Sequence, residues 1–207
     1  MTRLVRTHLT AACAVMGAHI KRVGPLPWPK PESGDLYQAL IRAVAHQQLH
    51  ARAAETILGR LYAASGGGVP TPDALLALPN ETIRTCGFSG SKMAALRDIA
   101  ARAADGTIPT AARAKKISDA ELIERLTVIR GVGQWTVEML LIFTLKRPDV
   151  FPVDDFGVRE GYKILYGLDA QPKPKPFAAL GERYAPYRSM ASLYLWRAAD
   201  LAKKIKE

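Results

Sequence analysis

An all-α fold of two helical lobes is what this sequence predicts, on three observations. Apolar residues recur at three- and four-residue spacing over most of the chain, whereas the strict alternation of a half-buried strand is almost absent. Helix-start signatures precede these runs at Asp35, Thr71-Pro72-Asp73, Pro79-Asn80 and Ser118, the last with Glu121 three residues on. The 207 residues, 48% hydrophobic, carry no internal repeat and suffice to bury a sizeable core.

Taken in order, residues 3–22 read as one helix with Leu4, Leu9, Val15 and Met16 toward a core. Gly24 to Pro31 is a proline-rich connector whose Trp28 can pack on the nearest helix or fold over a pocket. Asp35 caps a helical region over 36–64. Its stripe of Leu36, Leu40, Ile41, Val44 and Ala45 resumes at Ile57, Leu58 and Leu61, beyond a polar break at His46-Gln47-Gln48-Leu49-His50. The amides and imidazoles of that break suit base edges or a gap in a duplex. His46 and His50 have the spacing of a metal pair, without a nearby carboxylate to complete a site. Two short helices follow, the second ending at Gly87. Phe88-Ser89-Gly90-Ser91-Lys92 then turns into a helix over 93–104, where Ser89, Ser91 and Lys92 either cap the helix or hold a phosphate.

The stretch 118–160 is the most informative. Leu122, Leu126 and Ile129 continue a helix that Gly131 stops, and Gly131 and Gly133 permit left-handed angles, so the chain turns and restarts at Gln134. Two short helices joined by a tight hairpin result. They are either a plain corner or a phosphate-binding device, with the first-turn N–H groups near Gln134 approachable past the glycines. Trp135 enters the second helix, which Val137, Leu140, Leu141, Phe143 and Leu145 make apolar nearly all round, hence central. Asp154-Asp155 opens a further helix to about Tyr166, and one acid of such a pair can cap while the other points elsewhere. Gln171 to Phe177 (QPKPKPF) reads as a stiff connector and 186–204 as a last helix carrying Tyr194 and Trp196.

A net charge of +10 and a pI near 9.8 favour a polyanionic partner. No run approaches eighteen apolar residues and no leader pattern is visible, so the expectation is an intracellular, cytoplasmic protein with nucleic acid rather than membrane as partner. Two cysteines, Cys13 and Cys86, are too few for a four-thiolate zinc or iron–sulfur site.

The segments AVAHQQLHARAAETI (43–57), CGFSGSKMAALRDIA (86–100), LTVIRGVGQWTVEMLLIF (126–143), VFPVDDFGVREGY (150–162) and PYRSMASLYLW (186–196), in this order, resemble the helix-hairpin-helix DNA glycosylases, and more narrowly their 3-methyladenine DNA glycosylase II branch. The resemblance implies a single glycosylase domain over 1–207. One lobe would come from about 35–145 and the other from about 1–34 plus 150–207, with the active site in the cleft between them. It makes Asp155 the catalytic carboxylate, with Asp154 as the adjacent alternative. Trp135 falls where lyase-competent members carry a nucleophilic lysine, which implies a monofunctional hydrolase. Trp135, Phe156 and Trp196 would line the base pocket. Trp28 would stand in for an aromatic of the β-rich N-terminal domain found in larger members, a domain with no counterpart here. Gln48, or Leu49, would fill the gap left by the flipped nucleotide, with Gln47 beside it. The backbone grip falls to Ser89, Ser91, Lys92, Gly131, Val132, Gly133, Gln134 and Thr136.

The carbonyls of Thr127, Ile129 and Gly131 match positions that hold a structural monovalent cation in such hairpins; no other cofactor, and no iron–sulfur cluster, is expected. The implied activity is hydrolysis of the N-glycosidic bond of alkylated purines in duplex DNA, by a monomer, during base excision repair. A non-catalytic module for damaged DNA, and a glycosylase for deaminated bases such as hypoxanthine, stand as the other readings.

Overall fold

A computed structural model describes residues 2–30 and 35–206, with 205 and 206 described by backbone alone. Pro31, at the end of the expected connector, lies outside the described residues. Among them there is no strand. In chain order the helices are α1 (Arg3–Ala12), α2 (Ala14–Val23), α3 (Leu36–His46), α4 (Ala51–Ala64), α5 (Pro72–Ala77), α6 (Asn80–Thr85), α7 (Gly90–Ala104), α8 (Ala111–Ala114), α9 (Asp119–Thr127), α10 (Gln134–Met139), α11 (Phe156–Tyr166), α12 (Pro174–Gly181) and α13 (Arg188–Lys206). A π-helical turn, Leu140–Thr144, continues α10. Two compact units result: Pro31–Leu145, and Met1–Lys30 with Lys146–Glu207.

In the unit Pro31–Leu145 the cap signatures form as the sequence implies. Asp35 Oδ1 accepts from Tyr37 N at 2.8 Å, Ser89 Oγ from Lys92 N at 3.3 Å and Ser118 Oγ from Glu121 N at 3.2 Å. The Ser89 cap starts α7 at Gly90, three residues ahead of the expected start. The stripe of α3 is fully buried, and the polar break separates α3 from α4 because Gln48 takes a left-handed φ of 56°. Helix α9 ends at Thr127, one turn before Gly131, and the residues between form the hairpin turn.

In the other unit the expected single helix over 3–22 is two helices. Cys13 is extended (φ −162°, ψ 127°), so α2 bends back against α1 with Gly17 beside Thr10, where a Cβ would meet Thr10 at 3.0 Å. The Cys13 thiol sits 3.0 Å from the Tyr166 hydroxyl. The break resets the helical register: Leu9 and Met16 are buried as expected, whereas Leu4 and Val15 are exposed. Leu9 and Met16 join Val158, Tyr162, Phe177, Tyr194 and Leu195 in one core, where each full burial of such a side chain contributes roughly 1.5–3 kcal/mol. Of the expected connector 171–177 only the first three residues are irregular. Pro174 starts α12, since a first-turn proline loses no hydrogen bond. Tyr194 donates its hydroxyl to Gly24 O (3.0 Å) and accepts from Leu26 N (3.2 Å), tying the N-terminal connector to α13; half-buried Trp28 packs on the same core.

Candidate active site and nucleic-acid interface

The unit built from both chain ends carries the acid pair. Ser189, buried near the start of α13, donates to Arg147 O (2.6 Å) and accepts from Val150 N (2.9 Å). Arg188 grips Asp149 at 2.8 Å and Glu182 at 2.8 Å. These bonds pin the loop that leads to a turn closed by Asp155 N donating to Pro152 O at 3.1 Å. Asp154 is exposed, while Asp155 is only 7% exposed and is itself the N-cap of α11. The expected division holds, one acid capping and the other pointing elsewhere: the capping acid is the buried Asp155, and Asp154 is the solvated neighbour. Asp155 Oδ1 accepts two bonds, from Val158 N at 2.7 Å and from the Trp196 indole Nε1 at 2.8 Å. Together with the positive end of α11 these donors offset the cost of burying the carboxylate. Phe156, the next residue, is 66% exposed. A fixed carboxylate at a helix start beside aromatic rings can stabilise a cation and orient a water molecule.

The unit Pro31–Leu145 carries the hairpin. A cavity of about 600 Å³ is bounded by the 46–48 break, the Ser89–Lys92 turn, Trp135 and Thr136. Gln48, which lines it, and the next residue Leu49 are exposed. Gln47 turns inward instead: its side-chain amide donates to Gly131 O at 2.9 Å and locks the break onto the hairpin. Lys92 donates one of its three N–H groups to Ala45 O at the end of α3, at 2.8 Å, and partial burial lowers its pKa below the usual lysine value. Ser89 and Ser91, 3.0 Å apart, are exposed at the start of α7.

Gly131 is left-handed (φ 76°), and a Cβ there would meet Ala95 at 3.1 Å. Gly133 corrects the expectation of a second left-handed glycine: it is extended (φ −93°, ψ 170°), and nothing lies within 4 Å of where its Cβ would stand. It thus leaves open the approach to the backbone N–H groups that start α10. Gln134 and Trp135 are exposed, the latter by 45%, whereas Val132 and Thr136 are buried and support the turn from within. Arg130 N donates to Asp98 Oδ2 at 2.7 Å, fixing the hairpin to α7.

Of the expected cation carbonyls, Ile129 O accepts from Val132 N at 3.0 Å and Gly131 O from Gln47. Each of these two oxygens has a second lone pair beyond the bond named. Contrary to the expectation of no nearby carboxylate, His46 bonds Glu55 at 2.9 Å, and Glu55 also holds Arg42.

The structure thus brings Asp155 and Trp196 into direct contact and gathers Gln47, Gln48, the serine turn and Trp135 around one cavity. Sequence reasoning missed Gly157, where a Cβ would meet Trp196 Cδ1 at 2.7 Å, and Gly161, where it would meet Leu195 O at 1.8 Å. Two glycines one turn apart inside a helix, each costing about 1 kcal/mol relative to alanine, were the available signal. Ser189 and the buried Glu138, which accepts from Gln134 Nε2 at 3.0 Å, gave none.

Comparison with known proteins agrees with this architecture. DNA-3-methyladenine glycosylase 1 of Schizosaccharomyces pombe is 46% identical over 176 residues, 84% of this chain and 77% of the relative. The alkylbase DNA glycosidase-like protein mag2 of the same yeast is 34% identical over 200 residues, 95% of this chain and 93% of the relative. Among solved structures, the S. pombe 3-methyladenine DNA glycosylase Mag1 in complex with abasic DNA aligns with a TM-score of 0.85 at 41% identity, over 96% of this chain and 97% of that one. A DNA-3-methyladenine glycosidase from Bacillus halodurans aligns with a TM-score of 0.88 at 31% identity, over 97% and 91%. Residues 41–186 match the sequence profile of the HhH-GPD superfamily base excision DNA repair proteins, and the chain belongs to that family.

Proposed function

We propose that this chain is a monofunctional DNA glycosylase that hydrolyses the N-glycosidic bond of alkylated purines, of the 3-methyladenine and 7-methylguanine type, in duplex DNA. The observation that carries the reading is the buried Asp155, its Oδ1 gripped by the Trp196 indole and the first turn of α11. The yeast relative at 46% identity bears the name of this activity, and Mag1 was solved with abasic DNA. A purine methylated at N3 or N7 is cationic and leaves without a strong general acid. The aromatic faces of Phe156 and Trp196, in the unit that carries Asp155, would attract such a cation by roughly 0.5–2 kcal/mol over a neutral base. As the bond to C1′ breaks, Asp155 stabilises the positive charge growing on the sugar. A water molecule oriented by the Asp155 carboxylate then adds to C1′ and gives up its proton to that carboxylate, while the methylated purine leaves as a neutral base.

The hairpin and the serine turn hold phosphates, and Gln48 or Leu49 fills the stack vacated by the flipped nucleotide. A monovalent cation on the carbonyls of Thr127, Ile129 and Gly131 would add positive charge beneath the phosphate grip. With tryptophan at 135, no amine is offered from that position for a Schiff base. Among the described residues no helix is long and apolar enough to cross a membrane. The test is to incubate the protein with methylated DNA and separate the released bases. Release of 3-methyladenine and 7-methylguanine is expected, and intact DNA that is bound but never depurinated would leave a binding module in place of an enzyme.

A further inference from the structure

The pair Asp155–Trp196 holds more than a pocket wall requires. The indole presents its N–H, its only donor, to Asp155 Oδ1 at 2.8 Å, and Val158 N reaches the same oxygen at 2.7 Å. Rotating the carboxylate would break both bonds together, so its plane is set before any substrate arrives. The ring cannot drift either, since Trp196 packs against the core of its unit.

The glycines of α11 explain how the ring gets there. A Cβ on Gly157 would lie 2.7 Å from Trp196 Cδ1, 3.0 Å from Nε1 and 3.2 Å from Asp155 Oδ1, in contact with both partners of the bond. One turn later, a Cβ on Gly161 would strike Leu195 O at 1.8 Å, so this glycine lets the backbone of α13 approach α11 at the residue before Trp196. Neither position has a left-handed φ, and glycine is the least helix-favouring residue after proline. Space for α13 and its indole is what remains to explain both.

We propose that Trp196 serves the reaction as a positioning residue, holding the Asp155 carboxylate in one orientation through its indole N–H, with Gly157 making room for the ring. This rests on the glycosylase reading above and assigns Trp196 a role separate from stacking on the base. A preset carboxylate meets the developing sugar cation without reorganising, and that is where its electrostatic benefit lies.

The experiment measures single-turnover release of 3-methyladenine and 7-methylguanine, alongside affinity for duplex DNA carrying an abasic-site analogue. Trp196→Phe keeps an aromatic wall and deletes the N–H; Gly157→Ala keeps the N–H and displaces it. Both should slow release on the order of 10–100-fold, equally for the two bases, with affinity within about twofold of wild type. In the Trp196→Phe background, Gly157→Ala should add less than about twofold, because no N–H remains to displace. Thermal unfolding checks each variant, and if Trp196→Phe does not fold, Gly157→Ala carries the test. A Trp196→Phe enzyme at wild-type rate, a loss confined to one base, or weakened affinity with an unchanged rate would overturn the proposal. A wild-type protein that releases neither base refutes the glycosylase reading itself; an active wild type with unaffected variants refutes only the positioning role.

Discussion

Replacing Asp155 by Asn separates the charge of this residue from its work as a helix cap. Asparagine caps as well as aspartate does, and its Oδ1 can accept the same two bonds, now 2.7 Å from Val158 N and 2.8 Å from Trp196 Nε1. The fold should therefore change by less than about 0.5 kcal/mol, a shift in Tm of no more than about 2 °C for a chain of this size. Asp155→Ala, by contrast, loses the cap and takes the acceptor from both the Val158 and the Trp196 N–H. It should cost about 1–3 kcal/mol and lower Tm by roughly 2–10 °C. Base release behaves differently. Removing the anion that faces the developing cation forfeits about 3–4 kcal/mol of transition-state stabilisation, a fall of roughly 10²–10³ in single-turnover rate. The assay pairs base release with thermal unfolding and a DNA-binding titration for all three proteins. Asp155→Asn that retains activity within tenfold of wild type refutes the catalytic assignment, and one that unfolds like Asp155→Ala refutes the separation of charge from cap.

Three further outcomes are expected. Gly161→Ala sets a methyl 1.8 Å from a backbone oxygen that cannot yield without moving α13, so Tm should drop by roughly 4–10 °C; an unchanged Tm would contradict the packing described. His19 is buried, with Nε2 3.1 Å from Tyr194 O, and burial, with the nearby charges of Arg22 and Arg197, pushes its pKa below the usual value against the pull of that carbonyl. The unfolded chain takes up the proton first as pH falls, so this contribution is complete above about pH 6.5 and is lost on acidification through the folded pKa. Denaturant titrations between pH 5 and 8 should show a slope that His19→Gln removes; identical slopes in both proteins would count against it. Borohydride added during reaction on methylated DNA should trap no covalent enzyme–DNA adduct, since Trp135 offers no amine, and a trapped adduct would sink the monofunctional reading.

Local chemistry made much of this legible. Asp35, Thr71, Ser89 and Ser118 cap helices because each side chain needs only a neighbour three residues away or fewer, a relation the sequence contains whole. The stripe from Leu36 to Ala45 is buried for the same reason. The break at Cys13 was not legible: residues 3–22 have acceptable helical periodicity throughout, and the bend is seated by Gly17 on Thr10 and a thiol–phenol contact to residue 166. Gly133 is extended instead of left-handed, because a glycine makes that freedom available without determining whether it is used.

For the site, the sequence by itself determined the inventory: a hairpin with glycines at 131 and 133, tryptophan at 135, an acid pair at 154–155 and a terminal aromatic helix. Only the tertiary structure decided which acid is buried and what holds it. Asp155 meets its indole partner across 41 residues of chain, through a helix pair whose approach depends on Gly157 and Gly161. No periodicity encodes such a contact, since its range is set by how closely two helices pack and not by spacing along either one.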